Sequence, residues 1–157
     1  MSAFEKLKVA DVMVRNVVAV KSGTSITELA RILCQHSVSG APVLDENGKI
    51  IGMVSESDIA AAINIENEFV ESLEPELYDL LARSHIETER KYTSGKLTVV
   101  DEIMFRNVLT VSEETPLKEA ARIMAENRIH RLPVIKDGCL VGMIAAHDII
   151  KAVSEYC

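Results

Sequence analysis

The chain has 157 residues, 48% of them hydrophobic and 26% charged, which is the composition of a folded domain rather than of a disordered segment. Aromatic residues are only 4% and Trp is absent, so the core has to be built from Val, Ile, Leu, Met and Ala. A net charge of -7 argues against a broad nucleic-acid-binding surface, which needs clustered Lys and Arg, but leaves room for a small anion in a local basic pocket.

The first residues, 1–8, form a short lead segment without the apolar stretch of a signal peptide, and no run of about 18 apolar residues follows anywhere. The expectation is a cytoplasmic protein with no membrane span. The three cysteines, Cys34, Cys139 and Cys157, include no closely spaced pair, so neither a disulfide framework nor a zinc site is expected.

Residues 9–63 form a first repeat. Val17 to Val20 is a short apolar run that predicts a strand. Thr24 then predicts a helix N-cap, with Ile26, Leu29, Ala30 and Leu33 at helical spacing behind it. Pro42 to Leu44 and Ile50 to Val54 flank the turn Asp45 to Gly48 and predict a hairpin. A closing helix is predicted from about Asp58.

Residues 64–98 read as an acidic helical connector. Ile65, Phe69 and Leu73, then Leu77, Leu80 and Leu81, recur at helical spacing, and Pro75 separates the two stretches. The charge pattern predicts a wet face with one apolar stripe packed on the module, or else a helical surface for a partner or a second subunit.

Residues 99–157 repeat the first copy. Asp11 to Val20 (DVMVRNVVAV) matches Glu102 to Val111 (EIMFRNVLTV), an offset of 91 residues from 11 to 102. The same offset aligns Thr24 with Thr115, Glu28 with Glu119, and Pro42-Val43 with Pro133-Val134. After a one-residue insertion near Asn47 the offset becomes 90, aligning Gly52 with Gly142 and Asp58 with Asp148. A second β-α-β-β-α unit follows: a strand at Val108 to Val111, a helix with Pro116 at its first position, a hairpin around Asp137-Gly138, and a helix from about Asp148.

Three sequence stretches, each present twice, resemble the cystathionine-β-synthase-type (CBS) motif family, whose paired form is called a Bateman module. They are Asp11 to Met13 with Glu102 to Met104, Val38 to Val43 (VSGAPV) with Ile129 to Val134 (IHRLPV), and Gly52 to Asp58 (GMVSESD) with Gly142 to Asp148 (GMIAAHD). The resemblance covers nearly the whole chain apart from the connector and the first few residues. It implies an α/β (α+β) fold of two CBS repeats packed as a pseudo-twofold pair, a stand-alone CBS protein. It also implies a regulatory module that holds an adenosine-containing ligand between the motifs, and a homodimer formed through their helices.

The residues at the second hairpin strand and the closing helix carry the chemistry. A helix N-terminus offers unpaired N–H groups, Ser55 and Ser57 add hydroxyls, and the Asp58 carboxylate can accept from both vicinal hydroxyls of a ribose. An N-cap role for Ser55 or Asp58 accounts for the same residues and is compatible with ribose binding. By resemblance, Ser55, Asp58 and Asp148 hold ribose. Val17 and Val18, with Val38, Ser39, Gly40, Ala41 and Pro42, form the base slot. His130 and Arg131, with Ser57 and His147, face phosphate. Arg suits phosphate because its planar fork matches the oxygens.

The two copies are not equivalent. Ala145 stands where the first copy has Ser55, and Ser39-Gly40 stands where the second has His130-Arg131. The favoured ligands are AMP, ADP or ATP, with an S-adenosylmethionine-type ligand or a purely structural, protein-interaction role as alternatives. No catalytic constellation, resident cofactor or metal site is expected. Without an effector domain among these motifs, the readout is a rearranged dimer, ligand storage or a separate, unidentified effector protein.

Overall fold

The computed structural model describes residues 2–65 and 99–157, with side chains left out of account at 63–65. The connector helices and the break at Pro75 expected from the sequence lie outside the described residues.

Two compact units emerge, and their boundaries do not follow the repeats. One consists of residues 18–108, and the other joins 1–17 to 109–157. Each unit therefore pairs the body of one repeat with the lead segment of the other.

In the 18–108 unit, β1 (Val20–Lys21) lies parallel to β2 (Gly40–Leu44), and β2 is antiparallel to β3 (Ile50–Ser55). Helix α2 (Ile26–Gln35) covers this sheet with Ile26, Leu29, Ala30 and Leu33, the apolar stripe expected from the sequence. A ten-residue helix is marginal on its own. Burial of Leu29 and Leu33 contributes about 1.5–3 kcal/mol each and supplies what propensity does not. Helix α3 (Glu56–Ile65) follows β3 directly. The one-turn helix Val100–Glu102 completes the core with Val100, Ile103 and Met104.

The other unit repeats the plan with a 3-10 turn at Phe4–Lys6, α1 (Val9–Val12), α4 (Leu117–Asn127), β4 (Arg131–Lys136), β5 (Cys139–Ala145) and α5 (Ala146–Tyr156). Here Val9 and Met13 pack with Val111, Leu117, Leu132 and Ile144.

The lead methionines explain two glycines. A Cβ on Gly52 would lie 2.5 Å from Met104 Sδ, and one on Gly142 would lie 2.7 Å from Met13 Sδ. Only a residue without a side chain lets the sulfur reach the sheet.

Local details differ from expectation by a residue or two. The predicted strand over Val17 to Val20 shrinks to Val20–Lys21. Its counterpart is a single parallel bridge, Val111 to Val134. The α2 cap is Ser25, whose Oγ accepts from the Glu28 N–H at 3.1 Å. Thr24 instead donates from Oγ1 to the Lys21 carbonyl at 2.6 Å, a local turn bond that competes with capping. Pro116 stands at the N-cap rather than at the first helical position.

The hairpins keep the predicted turns. Asp137 and Gly138, both at positive φ, make the two-residue link between Lys136 and Cys139, as the twist of a hairpin demands. The first hairpin turns through Asp45, whose Oδ1 accepts from the Asn47 and Lys49 N–H groups at 2.9 Å. Both hairpins carry a register shift at the same place, after Val43 and after Val134.

Candidate functional site at the strand to helix junctions

Each unit builds one junction where the second hairpin strand runs straight into a helix. In the 18–108 unit the helix begins at Glu56, two residues before the predicted start. Asp58 therefore sits in its first turn and reaches backwards. Its Oδ2 accepts from the Ser55 N–H at 2.9 Å and from Ser55 Oγ at 3.1 Å. Ser55 Oγ also lies 2.8 Å from Ser57 Oγ. Asp58 is only 5% exposed and is the buried charged residue among those described. The capping role is thus real. It also holds the carboxylate rigidly beside two hydroxyls at the positive end of a helix.

The first hairpin strand completes this corner. Gly40 pairs with Ser55, and the Glu56 N–H donates to the Ser39 carbonyl at 2.9 Å. Pro42 pairs with Met53, while Ala41 and Val43 turn into the core. So Ser39 and Gly40 are brought against the Ser55–Glu56 junction, with Pro42 one pair further along at Met53, and Ser57 and Asp58 reach Ser55 from the first helical turn. Val38 packs on the edge of the same core. Val18 belongs to this unit and Val17 to the other.

The junction in the other unit has the same backbone and different chemistry. Arg131 pairs with Ala145, and the Ala146 N–H donates to the His130 carbonyl at 2.9 Å. Asp148 Oδ2 accepts from the Ala145 N–H at 2.8 Å. Ala145 has no hydroxyl to return, so this carboxylate is less enclosed and half-buried. His130 and His147 are exposed, and Arg131 is half-buried at the start of β4. His130, Arg131, His147 and Asp148 thus gather around one corner, and that corner is not the one holding Ser55, Ser57 and Asp58.

Three features escaped the sequence. The Ser39 carbonyl serves through its backbone, which no side-chain pattern reports. Phe105 and Val14, whose backbones each bridge to a hairpin edge, carry no sequence signal of that role. Asp101 clamps the β1 exit: the Ser22 hydroxyl and the Gly23 N–H donate to its carboxylate. Partners 78 and 79 residues apart leave no periodic trace.

The chain matches the CBS domain twice, over residues 9–65 and 100–155. It belongs to the CBS-domain family. The uncharacterized protein MJ1426 of Methanocaldococcus jannaschii is 32% identical over 155 residues, covering 94% of this chain and 92% of that one. Longer relatives are matched in part: the chain spans 57% of CBSX1 of Arabidopsis thaliana and 24% of a Methanohalobium evestigatum homoserine O-acetyltransferase. The structure resembles the CBS domain pair of protein MJ0100, solved in complex with 5'-methylthioadenosine and S-adenosyl-L-methionine. The TM-score is 0.70 with 27% identity over 95% of this chain and 97% of that one. It also resembles CBSX2, an Arabidopsis thaliana protein solved in complex with AMP, with a TM-score of 0.69 and 26% identity over 94% and 96% of the two chains. This CBS pair has no helix, among the described residues, long and apolar enough to cross a membrane. The described residues also contain no His, Cys, Asp and Glu grouping fit to hold a metal ion.

Proposed function

We propose that this CBS pair is a regulatory module that binds an adenosine-containing ligand and does not transform it. The observation that carries the reading is the Ser55, Ser57 and Asp58 corner. A carboxylate fixed in a helix's first turn, with hydroxyls on one side, suits the two vicinal hydroxyls of a ribose. Gly40 leaves the neighbouring strand open to a flat base. The complexes of the MJ0100 pair and of CBSX2 support the same ligand class.

AMP, ADP or ATP is the favoured ligand, because His130, Arg131 and His147 offer phosphate donors at the second corner, beside Asp148. A second reading is an S-adenosylmethionine-type ligand. It is favoured by the first corner, where neither Gly40–Leu44 nor Gly52 to Asp58 includes a basic residue.

The signal leaves through a second copy of the chain or through a separate effector protein. We assign the second copy to the open side of α4 and α5. There Ile150, Val153 and Tyr156 are 65%, 42% and 46% exposed, beside a groove of about 490 Å³ lined by Met124, Ile129 and Ile149. The position of α3 that corresponds to Ile150, Ala60, is buried. An apolar face of this kind on one of two pseudo-equivalent helices suits self-association. The acidic balance disfavours nucleic acid, and cysteines that form no disulfide suit a reducing, cytoplasmic setting.

The test is thermal unfolding of the whole chain with AMP, ADP, ATP, adenosine, 5'-methylthioadenosine and S-adenosylmethionine. A ligand at 100 times its Kd adds about 2.7 kcal/mol, which for a chain of this size raises Tm by about 5–10 °C. Arg131→Ala should shrink the response to the phosphorylated ligands and spare adenosine. A flat response across the panel removes the reading, and steady ATP turnover abolished by Asp58→Ala would make the protein an enzyme.

A further inference from the structure

Val14 and Phe105 occupy matching places, each following a lead methionine and each adding one rung to the outer edge of a hairpin. Phe105 exchanges both backbone hydrogen bonds with Met53 at 2.8 Å, and Val14 does so with Met143 at 2.9 Å. Residues paired in this way put their side chains on the same face of the sheet. Along β3 the faces alternate: Gly52 and Val54 are buried, while Met53 and Ser55 point the other way and are half-buried. Pro42, opposite Met53 on β2, shares that face. One row across the strands is therefore Pro42, Met53 and Phe105, and the next is Gly40 and Ser55.

Phe105 thus lies diagonally from Ser55, at a separation of about 7–8 Å typical of diagonal cross-strand neighbours. Its side chain is 48% exposed, although Met104 beside it is buried against Gly52 and the two bonds to Met53 fix its backbone. An aromatic side chain thus springs from a fixed backbone position, half exposed, a single step from the Ser55, Ser57 and Asp58 cluster. The matching position in the other unit has only the Val14 side chain.

We propose that Phe105 is the base-stacking residue of this corner: with the ribose on Asp58, the purine lies over Met53 and against the Phe105 ring. This rests on the adenosine reading and adds a selectivity between the two corners, since Val14 has no π-face to offer. Stacking tolerates any purine, so Phe105 sets affinity for a planar base and leaves the choice of substituents to other contacts.

The experiment combines calorimetric titration of adenosine with proton NMR of phenylalanine-labelled chain. Phe105→Leu keeps an apolar side chain and loses the ring, with affinity expected to fall roughly tenfold, near the low end for loss of one base–aromatic stack. Phe105→Trp should restore it. In the unmutated protein the ring resonances absent from Phe105→Leu should move upfield as adenosine is added. If Asp58→Asn weakens adenosine binding while Phe105→Leu binds normally and those resonances stay put, Phe105 is only an exposed surface residue and the inference falls alone. If adenosine binds neither the unmutated chain nor any variant, the ligand reading has failed and takes the inference with it.

Discussion

Replacing Asp58 separates the two duties its carboxylate performs. Buried at 5% exposure, it accepts from the Ser55 N–H at 2.9 Å and from Ser55 Oγ at 3.1 Å. Asp58→Ala removes the capping carboxylate and so leaves the part-buried Ser55 N–H unpaired, at about 1–3 kcal/mol. A loss of about 1–3 kcal/mol is the expectation, or about 2–12 °C in Tm for a chain of this length. Asp58→Asn behaves differently. Its amide oxygen still accepts from the Ser55 N–H, and only the charge is lost. Ligand-free stability should then fall by no more than about 1 kcal/mol.

Affinity should not be spared. A ribose held by the carboxylate takes the place of Ser55 Oγ, which retains Ser57 Oγ at 2.8 Å and so loses little. A hydrogen bond to a charged group contributes about 1.5–3 kcal/mol, so Asp58→Asn should bind adenosine about 10- to 150-fold more weakly. Calorimetric unfolding and titration of the same samples read both quantities. Unchanged affinity in Asp58→Asn would show that the carboxylate is a helix cap and nothing more.

Other consequences follow from contacts away from that corner. Burial pushes the Asp101 carboxyl up, but the Ser22 hydroxyl, the Gly23 N–H and Arg106 outweigh it and hold it below its ordinary 3.8. Folding therefore favours the ionised form, so this clamp is complete above about pH 4 and is lost as pH falls through the lower folded value. The stability difference between wild type and Asp101→Asn in urea should close below about pH 4, and a constant difference down to pH 2 would contradict the assignment. Gly52→Ala places a Cβ 2.5 Å from Met104 Sδ and 3.1 Å from the Phe105 carbonyl, the second of which is backbone. It should cost about 1–3 kcal/mol by urea unfolding, whereas Gly48→Ala meets nothing within 4 Å and is strained only by its φ of 76°. Ile150→Glu should shift the chain to monomer in sedimentation equilibrium without lowering its monomer stability, and an unchanged mass would remove α4 and α5 from the interface.

The repeat, the hairpins and the α2 stripe were legible because each leaves a local or periodic mark. Leu29 and Leu33 recur at helical spacing, and Gly48 and Gly138 sit where turns need positive φ. The first strands were overcalled, since Val17 to Val20 and Val108 to Val111 are apolar enough for strands but largely unpaired. Val17 to Ala19 and Val108 are only half-buried and Leu109 is exposed, so a short apolar run is not enough to recruit a hydrogen-bond partner. At the site, the residue types at the junction were readable, and so was their asymmetry. The Asp58 to Ser55 bond was anticipated as a helix cap compatible with ribose binding, while the Ser39 carbonyl, the place of Phe105 and the Asp101 clamp depend on partners that only folding brings near.

The exchange of lead segments bears on how the two corners stay alike while their side chains diverge. Val100, Ile103 and Met104 close the core under β3, and Val9 and Met13 close the core under β5. Each lead also fixes the outer edge of the hairpin strand that ends in a junction, through Phe105 to Met53 and Val14 to Met143. The backbone of both junctions is thus held from behind by methionine against glycine, independently of what the junction presents. Ser55 can be replaced by alanine, as at Ala145, or Ser39-Gly40 by His130-Arg131, without disturbing that support. A repeated scaffold held this way can offer hydroxyls at one corner and positive charge at the other, and a ligand with both a sugar and an anion has reason to distinguish them.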